Sequence, residues 1–147
     1  MAGSMNLPYN PARLAQAGSA MKLSGIQIYE LQAALAGLHA PGKQGEPQAP
    51  RLKFPGPTIY AFARNLRKAT EVASILDDTK AKLAAQFGLD KNPSDSVAQR
   101  SFEVEWLKVL RERHEIDLVK VKVAELNLDE NDISINIVAS IDPFLEP

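Results

Sequence analysis

No cysteine occurs among the 147 residues. That excludes disulfides, thiolate catalysis and cysteine-ligated zinc together, and it agrees with a reducing compartment without requiring one. Histidine is almost as scarce, with only His39 and His114. A metal site needs at least two suitably spaced ligands, and no His-x3-His pair or similar spacing exists. Long apolar runs are missing too. No stretch approaches the ~18 apolar residues that cross a bilayer, and the N-terminus has no continuous apolar core of a secretory signal. The expectation is a chain with no membrane association, cytoplasmic in location. Charge of one sign is also lacking overall, since the net charge is −1. Binding to duplex nucleic acid is therefore not expected.

The charges that are present are segregated. From Arg51 to Lys68 the basic residues Arg51, Lys53, Arg64, Arg67 and Lys68 stand without an acidic one. From Glu125 to Pro147 the acidic residues Glu125, Asp129, Glu130, Asp132, Asp142 and Glu146 stand without a basic one. Such asymmetry speaks of partners and assembly rather than fold.

Residues 1–20 read as a tail, because Gly3, Pro8, Pro11 and Gly18 break any period. Met1-Ala2-Gly3-Ser4 has the composition of an added leader, and Met5 and Met21 are alternative starts. One domain is expected over 21–147. Ser24 and Gln27 have capping-box spacing, and Ile28, Leu31, Leu35 and Leu38 follow at helical intervals, which predicts a helix over 25–38. Residues 39–50 read as a loop. Arg51-Leu52-Lys53-Phe54 could form a short edge strand, since Pro55 and Pro57 keep it from a central position. Phe62, Leu66, Ala69, Ala73, Leu76, Leu83 and Phe87 then alternate three and four apart, broken only by Lys80. This predicts one helix over 59–87 with Thr58 as N-cap and Gly88 just past its end. At 1.5 Å per residue it would be roughly 43 Å long, more than a domain of this size spans. It should project past its own core or pack along a partner. Ser96 and Gln99 repeat the capping-box spacing and predict a helix over 97–113 with Phe102, Trp106, Val109 and Leu110 on its apolar face. Residues 116–123 read as a strand whose inward phase slips once, which implies a bulge or a strand buried on both faces. Residues 133–141 fit both periods, and the preceding Asp129, Glu130 and Asp132 favour a helix there. The fold class is α+β and mainly helical: about four helices, one of them long and central, with a small two- or three-stranded sheet.

This order of motifs resembles a loose family of small bacteriophage and prophage proteins of unassigned function. Its elements here are the Leu23-to-Leu38 helix, the run Ala63-Arg64-Asn65-Leu66-Arg67-Lys68, the Glu115-to-Val123 strand and a terminal acidic-then-apolar segment, together covering about residues 21–146. The resemblance implies a short basic strand leading into the arginine-bearing helix, then a valine-rich strand and a final short helix. The proline-rich 41–57 segment departs from the compact connection expected there. The family brings no functional residues, but it implies a bacterial host's cytoplasm as the location.

Catalytic patterns are absent from the sequence. There is no Gly-x-Ser-x-Gly elbow, and Pro41-Gly42-Lys43-Gln44-Gly45 lacks the spacing of a phosphate-binding loop. Asp129-Glu130-Asn131-Asp132 lacks the glycine and later glutamate of a calcium loop. Asp77-Asp78 beside Lys80 and Lys82 is the ordinary pattern of an exposed helix face. His114 is expected at the end of the third helix, complementing its dipole. No cofactor or metal is expected, and a non-enzymatic protein is the better reading.

One cluster points to binding. Arg64, Arg67 and Lys68 lie in the first turns of the long helix, where cations and free N–H groups can converge on an anion. Arg51 and Lys53 extend the patch, and Tyr60 could stack on a ring. The competing explanations are a solvated face or an ion-pairing surface for the acidic C-terminal segment. Two functions follow. The first is an accessory protein of phage type that binds a host factor or sequesters a small anionic ligand such as a signalling nucleotide. The second is a structural or assembly protein that oligomerises through the long helix and complementary charged surfaces. Both expect a homo-oligomer.

Overall fold

A computed structural model describes residues 18–39 and 52–147. Arg51 and most of the expected tail and 39–50 loop lie outside them. The elements in chain order are β1 (Ser19–Ser24), α1 (Gly25–His39), α2 (Gly56–Gln86), α3 (Ser96–Arg111), β2 (Arg113–Leu118), β3 (Val121–Lys122), α4 (Ile135–Ile141) and β4 (Leu145–Glu146). Short 3-10 turns occupy Val123–Leu126 and Asp142–Phe144. The fold is α+β and mainly helical, with four α-helices and two small sheets among the described residues.

The capping box forms as its spacing requires. Ser24 N donates to Gln27 Oε1 at 2.9 Å, and Gln27 N donates to Ser24 Oγ at 3.2 Å. Ile28, Leu31 and Leu35 then turn inward and are fully buried. Just before them lies a strand that the sequence pattern does not suggest, its first two residues falling in the expected tail: β1 pairs antiparallel with β2, Met21 opposite Ile116 and Ser19 opposite Leu118. The helix itself runs on to His39, one residue into the expected loop.

The long helix is unbroken over 31 residues, about 46 Å. It begins at Gly56, with Pro55 as N-cap and Pro57 in the first turn, where a missing N–H costs nothing. Thr58 therefore does not cap. It is buried, and its hydroxyl donates to Glu125 Oε2 at 2.5 Å. Gly88 takes φ +74° just past the other end, as a left-handed terminator should. α1 lies antiparallel against the first two-thirds of α2: Tyr29 meets Asp77, and Gln32 Nε2 donates to Thr70 Oγ1 at 3.4 Å. The core forms where Phe62, Ala69 and Ala73 meet α1, Leu118, Val121, Ile141 and Phe144.

The Tyr29 hydroxyl donates to Asp77 Oδ1 at 2.5 Å. Burial first, then that hydrogen bond and the adjacent carboxylate charge, push the phenol well above its ordinary range. Because the folded value exceeds the unfolded one, the contribution is complete below about pH 10 and is lost as pH climbs beyond it. In urea titrations, Tyr29→Phe should lose less stability than the native chain between neutrality and about pH 11. Parallel curves would dismiss the pairing as an energetic contributor.

Two polar side chains hold the chain where no ladder can. The strand expected over 116–123 is interrupted at Val119-Lys120, and the buried Asn65 occupies the break. Its Oδ1 accepts from Val119 N at 2.7 Å and its Nδ2 donates to Val119 O at 2.9 Å. The phase slip in the sequence is thus a strand break, with a helix-borne amide standing in for a neighbouring strand. Asn131 does the same for Lys53, accepting from its N at 2.6 Å and donating to its O at 2.7 Å. Residues 52–54 consequently join neither sheet, which corrects the expected edge strand. The terminal ambiguous segment is the helix α4, and Ser134 is its N-cap, accepting from Ile137 N at 3.3 Å.

Candidate functional site

The expected anion site is built on the outward face of α2. Tyr60, Arg64, Arg67 and Lys68 fall within one arc at 100° per residue, opposite the buried Phe62, Asn65 and Ala69. Arg64 Nη2 stands 4.0 Å from Asp117 Oδ2, with the side chains about a third and a half exposed. Gly18 makes room for that carboxylate, since a Cβ there would fall on top of it. Lys68 Nζ lies 3.9 Å from Glu71 Oε2. Exposed pairs of this kind are weak, but they lower the local positive potential. Arg67 is exposed and makes no ion pair among the described residues. The main chain of Lys53 is held by Asn131 and Asn127, while the residue itself is exposed. Arg51 lies outside the described residues. The cluster is thus a convex ridge on a helix. The shallow depression lined by Val123, Ala124, Asn127, Leu128, Asp129 and Glu130 contains none of its members.

The acidic C-terminal segment comes back onto the basic one within the same chain. Thr58 bonds Glu125, and Asn127 and Asn131 hold Lys53. His114 is not at a helix end. The third helix stops at Arg111 with Glu112 as C-cap, and His114 lies within β2 opposite Leu23, its Nε2 buried without a hydrogen-bond partner among the described residues. Among the described residues no group of three His, Asp or Glu side chains is placed to hold a metal ion, and no helix is long and apolar enough to cross a membrane.

A second surface stands out at the far end of the long helix. Leu76 is the last buried residue of α2. Beyond it α2 continues to Gln86, the chain turns through Gly88, and α3 returns alongside. The turn leads into Asp95, whose carboxylate accepts from Val97 N and Ala98 N at 3.1 Å each. Asp95 therefore caps α3 in place of the expected Ser96 box, because its side chain reaches both orphan N–H groups from one residue earlier. Lys80, the sole interruption of the α2 stripe, places its Nζ 5.6 Å from the centre of the Trp106 ring. Phe102 stacks on Trp106 at 6.5 Å. The two helices form an arm in which no residue of α3 is fully buried.

The faces of α3 differ from those of an ordinary surface helix. Ala98, Phe102, Trp106, Val109 and Leu110 are half-buried toward α2 and the body of the fold. On the opposite side Val97, Val104 and Leu107 are 72, 56 and 44 % exposed. With Arg100 and Arg111 they recur at alternating steps of three and four, the spacing of a helix–helix seam. A helix with apolar residues on both faces is normally covered on both. The signal is present in the sequence, but the bulkier Phe102–Leu110 face masks it until α2 is seen to cover that face.

The fold and these surfaces define a small, mainly helical α+β protein with a projecting two-helix arm. The chain matches no known protein family, no characterised protein and no solved structure.

Proposed function

We propose that this is a non-enzymatic assembly protein that works by joining polypeptides through its two-helix arm. The observation that carries the reading is the outer stripe of α3, where Val97, Val104 and Leu107 face solvent on a helix already packed on its other side. Burying such side chains is worth roughly 1.5–3 kcal/mol apiece, enough to hold subunits together when several act at once. The long helix is less suited to the task. Its own apolar stripe is occupied by α1 as far as about Asp77 and by α3 beyond it, where Lys80 meets Trp106. A small anionic ligand is also the weaker reading, because Arg64 and Lys68 already have carboxylates nearby on a convex ridge. An accessory role of the phage kind is compatible with assembly and adds nothing to its test.

Light scattering at micromolar concentration should give a mass above the 16.1 kDa of one chain. Val104→Asp, which places a carboxylate in the stripe without touching the core, should weaken association at least tenfold while leaving the helical circular dichroism unchanged. A native chain that stays monomeric into the hundred-micromolar range overturns the proposal.

A further inference from the structure

We infer that the outer stripe of α3 seats a second copy of this chain, the two α3 helices running parallel about a two-fold axis so that the two arms join in one row, α2–α3–α3–α2; this rests on the assembly reading above. With the two-fold axis running along the helices, each seam residue sits against its own copy, so Val97, Val104 and Leu107 would each meet themselves, and so would Arg100 and Arg111. The charges flanking the seam favour the parallel direction. Glu103 lies on one flank of the stripe and Lys108 on the other, five residues further along. In a parallel pair this spacing brings every Glu103 to the copy's Lys108, twice by symmetry. In an antiparallel pair like flanks meet instead. Glu103 would then face the flank of Glu103 and Leu110, and Lys108 the flank of Ser101 and Lys108.

Within one chain Lys108 donates to Glu105 at 3.0 Å. That exposed contact is weak, so releasing it toward Glu103 of the copy is inexpensive. Arg100 sits in the seam between Val97 and Val104 and Arg111 at its end, both exposed. A charged seam residue fixes register at a cost in affinity, and its long stem lets the guanidinium reach water at the edge. The pairing is therefore weaker than an uninterrupted apolar seam would give.

The absence of native cysteine makes the geometry directly testable. Val97→Cys and Leu107→Cys, prepared separately and oxidised at micromolar concentration, should each form a covalent dimer alone. The two positions are about 15 Å apart along the helix, beyond the roughly 4.4–6.8 Å Cα separation of a disulfide. Sedimentation supplies the second arm: Glu103→Lys and Lys108→Glu should each weaken the dimer about tenfold, and the double exchange should return it to within about twofold of the native chain. Cross-links that appear only when the two cysteine variants are mixed overturn the parallel arrangement but leave the assembly reading standing. So does a dimer that cross-links at neither position, which moves the seat elsewhere. A monomer at every concentration overturns both.

Discussion

Replacing Asn65 by Ala should lower the free energy of unfolding by about 3 kcal/mol, among the largest losses expected of any single change in this chain. The side chain is fully buried and forms two short hydrogen bonds with one residue, accepting from Val119 N and donating to Val119 O. Val119 is itself buried and has left the β2 ladder, so no strand neighbour can replace the amide. Each orphaned backbone group then bears a desolvation cost of about 1–3 kcal/mol. For a domain of this size the loss should appear as a fall in Tm of roughly 10 °C. Asn65→Leu separates the two physical causes. It keeps the branched heavy-atom shape but not the hydrogen bonds, so it should lose nearly as much as the alanine variant. A leucine variant close to native stability would show that packing, not the backbone bonds, holds the break. The expected result also bears on the basic ridge. Asn65 and Arg64 are neighbours on α2, and both reach the end of β2, one through Val119 and the other through Asp117. Loss of the amide should therefore loosen the Arg64–Asp117 pair as well.

The parts of this fold legible in the sequence are those governed by local periodicity. The Ser24–Gln27 box, the span of the long helix, its glycine stop and the choice of helix over strand for 133–141 all follow from residues within a few positions of one another. What could not be read depends on partners far along the chain. β1 is six residues, and its strand character comes from pairing with β2, 89 to 99 positions away along the chain. Asn65 and Asn131 look like ordinary polar residues of a helix and a turn, and nothing nearby marks them as substitutes for a β-ladder. Thr58 has the right chemistry for a cap, yet Glu125 claims it from across the fold. The candidate site follows the same rule. Helical spacing places Arg64, Arg67 and Lys68 on one ridge with Tyr60. Only the register of β2 brings Asp117 to Arg64, which is why the sequence alone makes the ridge look more strongly anionophilic than the folded surface. The outer stripe of α3 was legible in principle. Its meaning depends on knowing which face α2 covers.

Phe62→Ala should cost about 3–5 kcal/mol, and its effect should be uneven across the molecule. Phe62 is fully buried at the junction of three segments. The Phe54 ring meets it edge-on at 5.0 Å, and the Phe144 ring lies tilted at 6.0 Å. These contacts fix the 52–54 segment and the C-terminal 3-10 turn onto α2. That turn in turn sets Leu145 beside Val121 in the small parallel sheet. A two-residue pairing has little stability of its own, so its amides should lose hydrogen-exchange protection first, at Val121, Lys122, Leu145 and Glu146. Protection in α1 should persist until global unfolding. The arm lies at the other end of α2, and among the described residues Val97, Val104 and Leu107 are not members of the core cluster that holds Phe62, Phe54 and Phe144. Association of the Phe62→Ala chain, measured well below its lowered Tm, should therefore match that of the native chain. If subunit affinity instead falls in step with protection of the C-terminal sheet, the arm is not an independent docking element, and the surface that joins subunits must include the body of the fold.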